Sequence, residues 1–427
     1  MTKKIPKDAV FVALLAMIFL LPFATVKISF FGIPFYLPEI AILVALGFFA
    51  LTSDKEKIFS VSKKLFFRDV FAIVGVSLFI IGTILSLLMH PFSLTSVGML
   101  KSWFFFPVLA AWLLFFEAED LKKWHTIIFS WFIVLVVTAI SSLSFVVLHV
   151  LTFDGRLAGM YSSPNFLAFF VAPASLLALY LWDTFLVRDW RDCFKKGLLF
   201  LGSVVALLCL FFTHSYGTWG AVALGLLLFL FGRLSLLRFR KKTFLLLVVC
   251  IAVLFFVYGI ENGSEKWQAL YSLDERSSFS SRLMIWQSAG KIISDNLFLG
   301  IGVGRFQEVY LSYQQYFPPY LEWAVPQPHN VYLALWLSSG SIGLFGFILL
   351  ITRLMYISGR TFLINKKEEP RLGALLICSL LLLFLVSGIV DTPYFKNDLA
   401  IAFFVLIGLG FARESQSKNV ASDEQER

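Results

Sequence analysis

Long apolar runs recur along this chain, and each is roughly 16 to 25 residues long, the length that a helix needs to cross a bilayer. Hydrophobic residues make up 59% of the sequence and charged residues 15%, and the mean hydropathy is +0.84. A soluble domain of this length does not need so many apolar residues. Because backbone polar groups in lipid must be satisfied within each segment, and because the runs do not alternate, they predict helices rather than a β-barrel.

The pattern predicts an all-α polytopic membrane protein with about twelve transmembrane helices. Residues 1–260 hold nine of these helices, residues 261–328 form one large outer loop, and residues 329–412 hold the last three. The polar tail, residues 413–427, is expected to be disordered. A Gly- and Pro-containing connection at residues 30–38 is expected to be irregular. The predicted helices cover residues 9–28, 38–52, 69–89, 99–116, 126–150, 164–182, 197–213, 217–232, 243–260, 329–352, 373–390 and 399–412.

Basic residues predict the orientation of these helices. If the N-terminus is inside, 27 of the 36 Lys and Arg residues fall in cytoplasmic segments. Such a bias over short loops sets orientation, so both termini are placed in the cytoplasm and the large loop outside. The same bias explains the net charge of +9, so the charge does not indicate binding to nucleic acid. The basic start, residues 1–7, is expected to lead into a retained signal-anchor helix. The four cysteines predict no disulfide framework and show no metal-ligand spacing.

Two polar motifs fall in predicted outer turns. Arg156-Leu-Ala-Gly159 precedes Ser163-Pro-Asn165, where a helix N-terminus and a guanidinium could together bind an anion. The alternative is a capped helix with an arginine that reaches the headgroups. In the run Thr213-His-Ser-Tyr-Gly217, His214 is a candidate second titratable group, although such a run also suits a simple turn.

Two further motifs lie in and after the large loop. Arg282 and Trp286, four residues apart, predict an amphipathic helix that holds a guanidinium at headgroup level, or simply an interfacial anchor. His329 stands where the loop meets the next apolar run, and an imidazole is well suited to removing a proton from a hydroxyl. A structural histidine at a helix start is the alternative. Gly340 and Gly343 follow, and small residues at this spacing let another helix approach closely.

No other catalytic pattern stands out. The outer carboxylates, Asp391 among them, show no pairing that demands general acid–base work. Metal, nucleotide and nucleophile-elbow motifs are absent from the sequence, so no cofactor or metal is expected.

Taken together, these motifs resemble the O-antigen ligase and polymerase superfamily over roughly residues 150–350. The most specific part is His329-Asn330, then nine residues, then Gly340-x-x-Gly343. Arg156-x-x-Gly159, Ser281-Arg282 and Gly300-x-Gly302-x-Gly304 are also similar to the family. The resemblance implies a metal-independent, inverting glycosyltransferase of the bacterial inner membrane. Such an enzyme transfers a glycan from an undecaprenyl-diphosphate carrier to an acceptor at the outer face.

The resemblance also implies roles for individual residues. His329 would be the general base, Arg282 would bind the donor diphosphate, and Arg156 would support it. One position departs from the family, which often has Ser-Arg-Gly after the seventh helix, whereas this chain has Tyr216 in the middle. His214 or Arg276 would then supply the missing charge, unless the donor geometry differs. The full predicted substrate-binding set is Arg282, Arg156, Arg276, Arg305, His214 and Asn330.

The expected partners are an undecaprenyl-diphosphate-linked glycan, an acceptor glycan such as lipid A–core, and membrane lipid, with no nucleic acid. A polymerase that joins repeat units stays open as an alternative to a ligase. A third alternative is a flippase or exporter of lipid-linked glycan. The predicted helix interiors hold almost no ionisable residues, which favours an enzyme over a transporter.

Overall fold

A computed structural model of the chain describes residues 6, 8–30, 33–52, 69–91, 93–118, 120–185, 189–236, 240–264, 267–268, 277–316 and 325–425. Over these residues the protein is a bundle of fourteen helices with one two-stranded hairpin. The helices are α1 Ala9–Leu20, α2 Leu37–Thr52, α3 Val70–Leu88, α4 Leu94–Glu117, α5 Leu121–Val147, α6 Pro164–Thr184, α7 Trp190–Phe212, α8 Tyr216–Leu234, α9 Arg240–Glu261, α10 Ser278–Asp295, α11 Phe306–Tyr313, α12 Val331–Ile364, α13 Glu368–Val390 and α14 Asn397–Gln425. Short 3₁₀ turns follow α1, at Leu21–Phe23, and α11, at Gln314–Tyr316.

The predicted all-α membrane class is confirmed, and a helix lies at each of the twelve predicted positions. Within the described ranges, nine helices are long and apolar enough to cross a bilayer: α3 to α9, α12 and α13. Helices α1 and α2 are apolar but shorter. Helix α10 confirms the helix predicted around Arg282 and Trp286. The hydropathy of each segment was therefore enough to predict the fold class, because an α-helix satisfies its own backbone hydrogen bonds.

Two predicted irregular segments are in fact regular. Residues 30–38 were expected to be irregular, but β1 (Lys27–Phe30) pairs antiparallel with β2 (Ile33–Tyr36), since aromatic and β-branched residues fit a pleated ribbon. The tail was expected to be disordered from residue 413, but α14 continues to Gln425. No Gly or Pro interrupts residues 411–425, and Arg413 is buried and paired with Glu369.

Helices α3 and α12 pack closely through glycines. A Cβ on Gly82 would lie 2.3 Å from the Gly343 nitrogen, and one on Gly346 would lie 2.5 Å from the Gly75 carbonyl oxygen. The close approach predicted for Gly343 is therefore confirmed. In a membrane, where lipid tails are as apolar as leucine, such close contact supplies the packing energy between helices.

Helix α12 kinks at Gly340, whose φ of 66° and ψ of −177° are not helical. The kink breaks the normal hydrogen bond between Ser341 and Leu337. Instead, the Ser341 N–H donates to the Phe298 carbonyl at 3.1 Å, and the Leu337 carbonyl accepts from the Ile301 N–H at 2.7 Å. The loop before α11 thus satisfies the backbone groups that the kink releases. Its glycines all adopt positive φ: Gly300 at 68°, Gly302 at 92° and Gly304 at 76°.

Candidate active site

A chain of hydrogen bonds joins four polar side chains at one end of the bundle. His329 Nδ1 lies 3.1 Å from Asp391 Oδ1, and the Asn165 amide donates to Asp391 Oδ2 at 2.6 Å. Arg156 Nη2 in turn donates to Asn165 Oδ1 at 2.6 Å. The structure therefore brings His329 and Arg156, which are far apart in sequence, into one network.

Helix ends hold these groups in place. Ser163 caps α6, its hydroxyl accepting from the Asn165 N–H at 3.3 Å, and Pro164 occupies the first turn. Asn330 caps α12 through two backbone N–H groups and donates to the Ile389 carbonyl at 2.9 Å. Asn330 was predicted to bind substrate. Both ends of its amide bond the protein and tie the start of α12 to the end of α13, beside Asp391, while its role in substrate binding stays a prediction.

Backbone strain marks the same region. Among the described residues, the non-glycine residues with positive φ are His149, His214 and His329, at 56°, 46° and 48°. Such a conformation costs about 1–3 kcal/mol and persists only where the surroundings enforce it. Trp286 on α10 helps to hold His329, because its Nε1 donates to the Pro328 carbonyl at 3.0 Å.

Asp391 is the buried partner of the half-exposed His329. Burial raises the pKa of this carboxyl, but the hydrogen bond and charge of His329, the charge of Arg282 and the Thr392 N–H outweigh it, so the net shift is downward. Asp391 therefore stays ionised and accepts a hydrogen bond from the Nδ1–H group of His329. With Nδ1 as the donor, Nε2 is left as the acceptor, which is the form a general base requires.

Two guanidinium groups face the cavity beside this pair. Arg282 Nε donates to the Val390 carbonyl at 2.9 Å, and its Nη1 donates to the Ser278 hydroxyl at 2.6 Å. Arg156 Nε donates to the Thr213 carbonyl at 2.7 Å. Burial lowers the pKa of Arg156; the charge of Asp154 opposes this, and the positive charge of Arg282 adds to it. The two cations are thus close enough to repel, and an anion between them would relieve that repulsion.

The cavity itself has a volume of about 190 Å³. Sites for drug-sized ligands measure roughly 300–1,000 Å³, so this one suits a compact charged group rather than a glycan chain. Its polar lining residues are Arg156, Asn165, His214, Ser215, Tyr216, Thr218, Ser278, Arg282 and Asp391, with Trp286 among its aromatic ones.

A second carboxylate network occupies the position where the family arginine is missing. The Tyr216 hydroxyl donates to Glu261 Oε2 at 2.7 Å, and His214 Nδ1 lies 3.3 Å from Glu261 Oε1. Glu261 is only 3% exposed. His214, predicted as a second titratable group at the site, thus lines the cavity and faces a buried carboxylate.

The other predicted residues fall elsewhere. Arg305 pairs with Glu308 at 2.9 Å and is not one of the residues that line the cavity, because its loop is held against the kink in α12. Arg276 lies outside the described residues.

Sequence reasoning missed three side chains of the site, namely Asp391, Asn165 and Glu261. No outer carboxylate was expected to have a pairing that demands acid–base work, but Asp391 Oδ1 does lie 3.1 Å from His329 Nδ1. The two residues are 62 positions apart, so spacing could not show the pair. The signal that the sequence did offer was the position of Asp391, which directly follows an apolar span and so lies on the same predicted side of the membrane as His329.

Fold and site together define a class: a polytopic helical membrane protein with a cation-lined polar cavity, and a histidine–carboxylate pair beside it, at one end of its bundle. Residues 201–348 match the family model described as O-Antigen ligase. Over this segment the match supports the O-antigen ligase and polymerase superfamily that the motifs predicted, a superfamily of membrane glycosyltransferase-like enzymes. The matched residues include His214, Arg282 and His329, whereas Arg156 and Asp391 lie outside them. No curated protein matches the chain.

Proposed function

We propose that this protein transfers a glycan from an undecaprenyl-diphosphate carrier to an acceptor hydroxyl at the outer face of the bacterial cytoplasmic membrane. One observation carries the proposal. The hydrogen-bonded chain from His329 through Asp391 and Asn165 to Arg156 lies against the cavity that Arg282 also lines. A base and an anion site are thus adjacent, as transfer from a diphosphate requires.

In this proposal His329 acts on the acceptor. Nε2 takes the hydroxyl proton while the acceptor oxygen attacks the anomeric carbon of the glycan. The bond from that carbon to the diphosphate oxygen breaks, and direct attack inverts the anomeric centre. A positioned base of this kind contributes roughly 10²- to 10⁴-fold to the rate. Asp391, ionised and buried, stabilises the imidazolium that forms.

The cations act on the donor. As the glycosidic bond breaks, negative charge grows on the diphosphate, and Arg282 and Arg156 are placed to bind its oxygens by charge-assisted hydrogen bonds. His214, which lies 3.3 Å from Glu261, is placed as a third contact for the diphosphate where the family often has an arginine. Fixed cations in a cavity stabilise the leaving group more than mobile solvent ions would.

The acceptor distinguishes the two activities within this proposal. A lipid-linked core or another final acceptor makes the protein a ligase, and a second lipid-linked repeat unit makes it a polymerase. We propose ligation, because the run His329-Asn330, nine residues, Gly340-x-x-Gly343 resembles the ligase signature.

The test uses purified protein with an undecaprenyl-diphosphate-linked glycan and candidate acceptors. His329→Ala should lower the transfer rate by at least about 100-fold, since it removes the base. The matched control is His149→Ala, because His149 is also a histidine with positive φ but is not part of the network that joins His329 to Asp391, Asn165 and Arg156. Equal rates for the two variants would contradict the assignment of His329.

A further inference from the structure

A second polar cavity, of about 360 Å³, lies at the same end of the bundle. It is enclosed by the β1–β2 hairpin, α4, the turn before α6 and the start of α14. The mechanism proposed above uses none of its side chains. The residues that line it include Lys27, Tyr36, Trp103, Tyr161, Lys396 and Asp398.

Its aromatic side chains are held in place. Trp103 Nε1 donates to Asn397 Oδ1 at 3.0 Å, and the Trp103 ring packs edge-on against Phe395 with centroids 5.5 Å apart. Trp103 belongs to a π-helical stretch, Lys101–Phe105, and such stretches are frequent at functional sites. The Tyr36 N–H donates to Glu39 at 3.0 Å, which fixes the end of the hairpin.

The charge of this cavity is net positive. Lys27 and Lys396 line it together with one carboxylate, Asp398. Lys396 Nζ lies 4.6 Å from the centroid of Phe166 and 5.5 Å from that of Tyr161. Burial lowers the pKa of Lys396, while the charge of Asp398 opposes that shift. An anionic group in the cavity would therefore find a partly desolvated ammonium, where charge-assisted hydrogen bonds are strong.

Two chain segments join this cavity to the active site. Residues 156–165 give Arg156 and Asn165 to the active site and Tyr161 to the second cavity. Residues 391–398 contribute Asp391 to the active site and Lys396 to the second cavity. The five residue-to-residue steps from Asp391 to Lys396 span at most about 18 Å, a distance that a short oligosaccharide can bridge.

We propose that this cavity binds the acceptor saccharide through a sugar that carries a carboxylate or a phosphate group. The inference rests on the proposed function, because it presumes a glycan acceptor beside His329. Trp103, Tyr36 and Tyr161 offer amphipathic ring faces to the apolar face of a sugar. Lys396 and Lys27 recognise the anionic group, the Asn397 amide donates hydrogen bonds to sugar hydroxyls, and the Asp398 carboxylate accepts hydrogen bonds from them.

Binding of simple probes to the purified protein tests this. Glucuronic acid should bind about tenfold more tightly than its neutral counterpart glucose, as one charge-assisted hydrogen bond allows. Lys396→Gln should abolish that preference, Trp103→Phe should weaken both sugars, and Lys291→Gln, which changes an exposed lysine paired with Asp295, should change neither. Lys27→Gln provides a second variant at an exposed position should Lys396→Gln fail to fold. Equal affinities for the two sugars in the wild-type protein, or an unchanged preference in Lys396→Gln, would overturn the proposal.

A second pair of probes separates the acceptor from the donor. Arg282→Ala should weaken the binding of undecaprenyl diphosphate alone, whereas Lys396→Gln should leave that binding unchanged. Lys396→Gln should weaken the binding of glucuronic acid, whereas Arg282→Ala should leave it unchanged. If Lys396→Gln instead weakens an undecaprenyl-diphosphate-linked sugar and leaves glucuronic acid unaffected, the cavity holds the donor glycan and the acceptor assignment is wrong. Since none of these measurements requires transfer, failure of the proposed function would show separately, in the His329→Ala rates.

Discussion

Asp391→Asn should slow glycan transfer without weakening donor binding. The substitution keeps the size of the side chain but removes the charge that faces His329 Nδ1 at 3.1 Å. At that distance an imidazolium and a carboxylate attract by about 5 kcal/mol with an effective dielectric constant of 20. Because the His329 side chain is 37% exposed, solvent screening reduces this to roughly 2–3 kcal/mol. The transfer rate should therefore fall by roughly 30- to 150-fold.

The assay measures initial rates with the purified protein at saturating acceptor, together with the dissociation constant for undecaprenyl diphosphate. Asp295→Asn is the matched control, because Asp295 is an exposed carboxylate that pairs with Lys291 and Tyr313. The control should keep the wild-type rate. A wild-type rate in Asp391→Asn would show that the contact between Asp391 and His329 does not contribute to the transfer rate. A large rise in the dissociation constant would instead show that Asp391 acts on donor binding.

Three further predictions follow from the same contacts. Arg282→Ala should weaken undecaprenyl diphosphate binding at least about tenfold and Arg282→Lys should recover only part of it, since an ammonium replaces a two-pronged guanidinium; equal affinities for Ala and Lys would contradict this. Gly340→Ala should lower the melting temperature, because its Cβ would lie 2.1 Å from the Phe298 carbonyl oxygen at a positive φ, whereas Gly263→Ala, with nothing within 4 Å, should not. The stability that ionised Asp391 contributes should be present above pH about 4 and should disappear as the pH falls through its lowered pKa. The melting temperatures of wild type and Asp391→Asn should therefore converge in acid, and a constant difference would contradict the shift.

Local signals in the sequence predicted most of the helices. Hydropathy over one segment is enough to place a transmembrane helix, because each helix satisfies its own backbone groups. The β1–β2 hairpin was missed because its pairing depends on two short strands at once, and the composition of residues 30–38 suggested only turns.

The site was predicted in part, and the division follows sequence distance. His329, Arg282 and Arg156 each belong to a short motif, so their residue types and positions could be predicted without a structure. Asp391 and Asn165 could not be assigned to the site from the sequence, because they are joined by a hydrogen bond between residues 226 positions apart. Arg305 was predicted from its charge alone, and its local pairing with Glu308 became visible only in three dimensions.

The histidine network and the glycine-rich loop also show how the site is kept rigid. The Gly340 kink in α12 is held by the loop around Gly300, while Asn330 fastens the start of the same helix to α13. His329 immediately precedes this start, so the orientation of the imidazole depends on both. Positioning of this kind is what allows a base to meet its substrate without reorganisation.

A structure determined with undecaprenyl diphosphate bound tests the central claim most directly. Diphosphate oxygens should lie within hydrogen-bonding distance of Arg282 and Arg156, inside the cavity beside Asp391, with Nε2 of His329 facing the terminal phosphate oxygen to which the glycan would be attached. A diphosphate bound elsewhere, with that cavity closed or filled by protein, would show that these arginines do not form the donor site.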